Sequence, residues 1–198
     1  MMKRIIKIIV DFIIHKNEKS SFELLDFETI KVLSDKAILK MGMSMQDVDK
    51  LLTMDADSKT VTKFIFDDTK EEWLDVSGWY NNMSINIIFR NNKLVFMQFP
   101  HDSGLMFKKI NLANINYKTT LSLLKRKGLE IRETDKDESV IDSLNLILYH
   151  PYENELETVS VFASGCYLSE EQKAKYDACR TRENGCDVIR YIPKKENA

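Results

Sequence analysis

Apolar positions along this chain follow a helical period and then an alternating period, and this order occurs twice. In the first stretch Ser44 stands where an N-cap would stand, and Asp47 follows three residues later to favour a helix N-terminus. Val48, Leu51 and Leu52 then share one helical face. Val61–Phe66 reads as a strand. Ile85, Ile87 and Phe89 alternate with Asn86, Ile88 and Arg90, and Leu94–Phe99 follows after Asn91-Asn92. Asparagine tolerates positive φ, so the Asn pair predicts a two-residue hairpin turn, and Pro100 ends the second strand. In the second stretch Asn116 caps a helix carrying Leu121, Leu123 and Leu124, and Gly128 fits its C-terminal stop. Leu129 and Ile131 begin a strand, and Asp135–Ser139 reads as a charged turn. Leu144, Leu146 and Leu148 alternate up to Pro151, and Thr158–Ala163 sets Val159 and Val161 on one side. Helix, strand, strand, strand over about Ser44–Phe99 and again over Asn116–Ala163 predicts an α+β fold of two tandem helix-plus-antiparallel-sheet units, with helices on one face. Two copies are fewer than a repeat array needs, so the pattern reads as a duplicated domain.

The rest of the chain frames these units. Met1–Ile14 opens with basic and then apolar residues, as a signal peptide does. Lys7 and Asp11 interrupt the apolar run, however, and no small-residue cleavage site follows. The run is too short to span a bilayer and reads as a buried helix or strand. A polar break at Lys16–Ser21 precedes Phe22–Leu33, whose spacing is compatible with a helix. Asp67–Gly78 reads as an acidic loop carrying Trp73, with Trp79-Tyr80 opening the next sheet region. Ser169–Thr181 reads as a late helix and Asp187–Ile192 as a last strand. The expected divisions are a lead-in at 1–29, a first unit at 30–112, a second unit at 113–168, and a C-terminal helix and strand at 169–198.

Charge changes this picture locally. The chain has 198 residues and a formal net charge of −2, which excludes the simple basic signature of a nucleic-acid binder. Ser44–Tyr80 holds nine acids and four bases, and Glu130–Glu157 holds nine acids and two bases. Lys108–Lys127 carries six bases and no acid. Such blocks are either solvated faces or surfaces that steer an oppositely charged partner.

Candidate chemistry is sparse. All three cysteines, Cys166, Cys179 and Cys186, lie in the last 33 residues. Their odd number and irregular spacing argue for reduced thiols in a cytoplasmic protein rather than a disulfide framework. His15, His101 and His150 lack metal-pair spacing, so no metal or cofactor is expected, and no catalytic residue is assigned. A triad of His101, Cys166 and an aspartate would need to assemble in space. The densest aromatic and acidic cluster is Asp67, Asp68, Glu71, Glu72, Trp73, Asp75, Trp79 and Tyr80. Aromatic anchors ringed by charge suit a protein interface, and these residues are the expected partner-binding site. The competing reading puts Trp73 and Trp79 in the core. A rival acidic site at Glu130–Asp142, with Glu133, Asp135 and Asp137, has no aromatic residue of its own.

The segment Leu39-Lys40-Met41-Gly42-Met43-Ser44-Met45-Gln46-Asp47-Val48 resembles the "LGMSxEEV" opening of a group of small bacterial proteins. In that group the helix start is followed by a hairpin ending in an aromatic-rich strand, here Leu94–Phe99. A second half ends in strands of the type Leu144–Pro151 and a valine-rich strand running to Gly165-Cys166-Tyr167. Over about Ile30 to Leu168 the pattern is similar to the tandem fold of the β-lactamase inhibitor protein. Related single-copy domains occur in outer-membrane assembly lipoproteins, but this chain has no early lipobox cysteine and carries Met41 where leucine is usual. The resemblance implies a non-catalytic binding protein, and some relatives look like immunity proteins. The expectation is therefore an immunity protein or inhibitor that blocks a toxin through an acidic face, with a nuclease of basic surface as the candidate toxin. No nucleic-acid or membrane partner is expected. A structural or regulatory interaction domain is the alternative reading, and an enzyme the third.

Overall fold

The computed structural model describes residues 22–66, 70–81, 83–114, 116–152, 155–164, 174 and 186–191. These residues form a mixed α+β fold that is mostly antiparallel sheet. Strands β1 (Phe22–Asp26), β2 (Thr29–Val32) and β3 (Ala37–Lys40) come first, followed by helix α1 (Met45–Leu51). A meander of β4 (Thr60–Phe66), β5 (Glu72–Tyr80), β6 (Met83–Arg90) and β7 (Lys93–Pro100) follows. Short strands β8 (Leu105–Phe107) and β9 (Ile110–Asn111) lead to helix α2 (Tyr117–Arg126). The second meander is β10 (Arg132–Asp135), β11 (Glu138–Ile141), β12 (Leu146–Tyr149) and β13 (Thr158–Phe162), and β14 (Cys186–Tyr191) comes last.

The two meanders join into one nine-stranded sheet of order β10-β11-β12-β13-β7-β6-β5-β4-β14. The seam is the antiparallel pair β7–β13, in which Phe99 faces Val159 and Met97 faces Val161. All four of these side chains are fully buried, so the seam lies over the centre of the core. The last strands of the two units therefore meet at the middle of the sheet, and each unit's helix precedes its own meander. A five-stranded sheet of order β3-β2-β1-β8-β9 forms the second layer, closed by the parallel pair β1–β8. Its Phe22 ring packs 4.9 Å from Phe99 and 5.6 Å from Tyr80.

Strand alternation decides which face is the core. Val61, Val76, Ile87, Met97, Val161 and Leu146 are successive cross-strand partners across six strands. All belong to one buried cluster with Val48 and Leu52 from the first helical segment and Tyr117, Leu121 and Leu124 from α2. Both helices thus contribute side chains to the same buried cluster as this face of the large sheet. Burial of such a row contributes roughly 1.5–3 kcal/mol per large side chain.

Several local expectations hold. The Ser44 hydroxyl accepts from Asp47 N–H at 3.2 Å, and its own O–H donates to the Asp47 carboxylate at 2.8 Å. Gly42 takes φ +87°, which lets its N–H reach Leu94 O at 2.8 Å while Leu94 N–H donates to Met43 O at 2.7 Å. The Gly-Met-Ser corner is thereby tied to the start of β7. Asn91 and Asn92 have φ +50° and +59° and turn β6 into β7. The Asn116 side chain accepts from Thr119 N–H at 3.0 Å. Gly128, at φ +78°, ends α2 with N–H bonds from Gly128 to Lys125 O and from Leu129 to Leu124 O, a Schellman arrangement.

Other expectations are corrected. Phe22–Leu33 is not helical; it contains the β1–β2 hairpin, in which Phe22, Leu24, Ile30 and Val32 point into the core. That hairpin spans the division drawn at residues 29 and 30. Most of the expected acidic loop Asp67–Gly78 is the nine-residue strand β5. Leu129 and Ile131 precede β10 rather than starting it, and the charged turn shrinks to Lys136-Asp137 because Glu138 already pairs with Tyr149 in β11. The last strand is present as β14, paired with β4. The N-terminal apolar run, the late helix apart from Ala174, His15, Cys166 and Cys179 lie outside the described residues.

Candidate protein-binding surface

The expected site is divided by β5 itself. Successive residues of a strand point to opposite faces, so Tyr80 faces the core while Trp73, Asp75 and Trp79 face away from it. Trp73 is only 6% exposed, stacked edge-on against Phe66 with the Arg90 guanidinium 5.7 Å above its ring. Tyr80 is buried, and its hydroxyl donates to Asp35 and also bonds Ser34, which fixes the β2–β3 turn. Burial, then the Asp35 hydrogen bond, raise the Tyr80 phenol above its ordinary value. Trp79 alone is exposed, at 50%. Asp67 and Asp68 lie outside the described residues.

The carboxylates here are internally matched. Glu71 pairs with Arg90, and Glu72 pairs with Lys63 across the β4–β5 ladder. Asp75 accepts from the Asn86 side chain at 2.6 Å. The sequence places seven of these eight candidates in one apparent patch beside Trp73. The structure instead gives a ladder whose acids hold neighbouring strands together, with one exposed aromatic residue at its end.

The second acidic block is arranged differently. Antiparallel register sets Glu138 directly beside Tyr149, and Glu157 N–H donates to Tyr149 O at 2.9 Å. Asp137 lies in the adjoining turn, where its carbonyl accepts His150 N–H at 2.8 Å. Tyr152 and Glu155 form a local bridge just beyond β12, and Tyr152 is 67% exposed. Among the described residues Asp137 and Glu157 make no ion pair. Their charge is felt at Tyr149: its phenol is raised first by desolvation and then by Glu157, Asp137 and Glu138. At the outer end of this block Arg132 and Asp142 form a bidentate pair at 2.8 and 3.1 Å, and Arg132 holds the Asp142 carboxyl below the usual carboxylate range.

This second patch holds carboxylates and two tyrosines at one end of β11, β12 and β13. The signal was present in the sequence as Tyr149 and Tyr152. Their nearness to Asp137 and Glu138 follows only from strand pairing, which is why the rival segment looked bare of aromatics. Chemically the patch can accept hydrogen bonds from lysine or arginine and stack their stems against phenol rings.

No cluster of three or more His, Cys, Asp and Glu side chains suited to a metal occurs among the described residues. No helix among them is long and apolar enough to cross a membrane. His101 is exposed, with its backbone N–H on Glu157 O, and its imagined partner Cys166 lies outside the described residues. Fold and surface together define an α+β protein made mostly of antiparallel sheet, with a nine-stranded sheet that has an acidic, tyrosine-bearing end. Comparison with protein-family models, with curated proteins and with solved structures produced no match.

Proposed function

We propose that this chain is an immunity protein or inhibitor that binds a protein toxin and blocks it, without catalysis of its own. The observation that carries the reading is the Asp137, Glu138, Glu157, Tyr149 and Tyr152 surface on a large sheet scaffold. The exposed Tyr152 and the half-buried Tyr149 supply contact area at low entropic cost, and Asp137 and Glu157, which make no ion pair among the described residues, speed encounter with a basic surface. A nuclease toxin fits this chemistry, because its phosphate-binding groove is basic. The resemblance of Leu39–Val48 to the opening of a group of small bacterial proteins, some of which look like immunity proteins, is in line with the same reading. Trp79, with Asp75 on the same sheet face, offers a second contact region.

The test is titration of the purified chain into a toxicity or nuclease assay of the product of the neighbouring gene, the candidate partner. Loss of toxin activity at one equivalent is the expected result. Full activity in the presence of excess chain contradicts the proposal and favours a structural or regulatory interaction domain.

A further inference from the structure

A buried cluster under the second unit is used by none of the foregoing. Tyr117, the first residue of α2, stacks on His150 with ring centroids 3.7 Å apart and planes at 25°. The Tyr117 hydroxyl bonds the Ser139 hydroxyl, and Ser139 Oγ lies 3.4 Å from His150 Nε2. All three side chains are buried, Ser139 completely. The cluster joins three elements: the N-terminus of α2, strand β11, and the residue that follows β12. The adjoining Asn116 cap also bridges Glu155 across the same junction.

The hydrogen bonds form a chain with a direction. When the imidazole is neutral with its acceptor at Nε2, Ser139 O–H donates to that nitrogen, and Tyr117 O–H donates to Ser139 Oγ. A second proton on the ring converts Nε2 from acceptor to donor. Ser139 Oγ must then accept from it, and its own proton loses the imidazole as acceptor. Whichever way the two hydroxyls turn, the proton of Ser139 or of Tyr117 is left without an acceptor inside a closed contact, and a buried hydroxyl in that state is costly.

We propose that Tyr117, Ser139 and His150 form a proton-operated latch that fastens helix α2 to the second meander at neutral pH and releases it in mild acid. Charged and titratable groups act on the ring from the elements around it, Tyr117 by stacking and the carboxylates through their charge. Tyr117 comes from α2, Glu133 from β10, Asp137 from the turn, and Glu138 from β11. The three carboxylates favour the imidazolium, and so does the ring's hydrogen bond to its own backbone carbonyl. Desolvation opposes them and prevails, holding His150 below its ordinary value. Because the folded value is depressed, the latch is complete above the unfolded histidine value of about 6.5 and weakens as pH falls below it.

The experiment is amide hydrogen exchange of the full chain at about pH 7.5 and about pH 5, corrected for intrinsic rates. Protection of the Leu121–Leu124 amides is expected to fall by roughly tenfold relative to the β6–β7 amides, and His150→Phe, which keeps a stacked ring, is expected to abolish that difference. Unchanged α2 protection in the wild type, or an equal fall in His150→Phe, overturns the proposal. Should His150→Phe fail to fold, the carbon-13 titration of His150 in the wild type decides. A midpoint below the ordinary histidine value that tracks α2 opening supports the latch, and a midpoint at or above that value overturns it. The readout is helix opening in the free chain, so it stands apart from any toxin.

Discussion

The two acidic blocks have similar composition and opposite structural fates. In Ser44–Tyr80 the carboxylates of Glu71 and Glu72 meet Arg90 and Lys63 across strands, and the large aromatics are divided between the two faces of β5. In Glu130–Glu157 the register delivers Tyr149 to Glu138 and leaves Asp137 and Glu157 without cationic partners among the described residues. Density of acid and aromatic residues along the chain therefore does not tell which charges are matched internally. What matters is whether strand pairing matches each charge internally, and on which face each ring emerges.

The largest expected effect separates the blocks by stability. Trp73→Ala removes a ring packed against Phe66 and Arg90 and should cost about 3–5 kcal/mol, read as a lowered denaturation midpoint at constant slope. Tyr152→Ala, at an exposed site, should change stability by about 0.5 kcal/mol or less. Equal costs would break the distinction between a core aromatic and a surface one.

A smaller effect distinguishes the carboxylates. Glu71→Gln should cost about 1 kcal/mol, because its partly buried pair with Arg90 loses a charge. Asp137→Asn should be close to neutral, since Asp137 makes no ion pair among the described residues. A cost at Asp137 as large as that at Glu71 would mean that the second patch is structural.

The smallest effect concerns acid and salt. Arg132 lowers the Asp142 carboxyl, so this pair contributes above the ordinary aspartate value and its contribution is lost as pH falls through the folded value. Both side chains are more than half exposed, so the contribution should be about 0.5 kcal/mol or less and should shrink further in salt. Asp142→Asn should remove this part of the acid sensitivity, measured as the difference in unfolding free energy across the acid range.

Legibility in the sequence followed the range of the deciding contacts. The hairpin at Asn91-Asn92, the caps at Ser44 and Asn116, and the stop at Gly128 are set by residues a few positions apart, and all were readable. Phe22, Leu24, Leu25, Phe27, Ile30, Val32 and Leu33 fit a helical period and an alternating one. Strand pairing decides between them, including Phe22 with Leu105, which lies far along the chain. β5 was misread as a loop because Glu72 and Asp75 look like solvated charge until Lys63 and Asn86 are placed beside them. The candidate surface was half legible: the acids of the second block were visible, and their aromatic neighbours required the β11–β12 register.

Association kinetics test the central claim most directly. The rate constant for binding the proposed toxin partner would be measured for Asp137→Lys with Glu157→Lys, and separately for Glu71→Lys with Glu72→Lys. If the second block is the steering surface, reversal there slows association by on the order of tenfold or more at low salt, with a flattened salt dependence. The first-block pair, in variants that remain folded, should leave the rate within about twofold. A rate that collapses for the first-block pair and holds for the second would contradict the account and return the binding surface to β5.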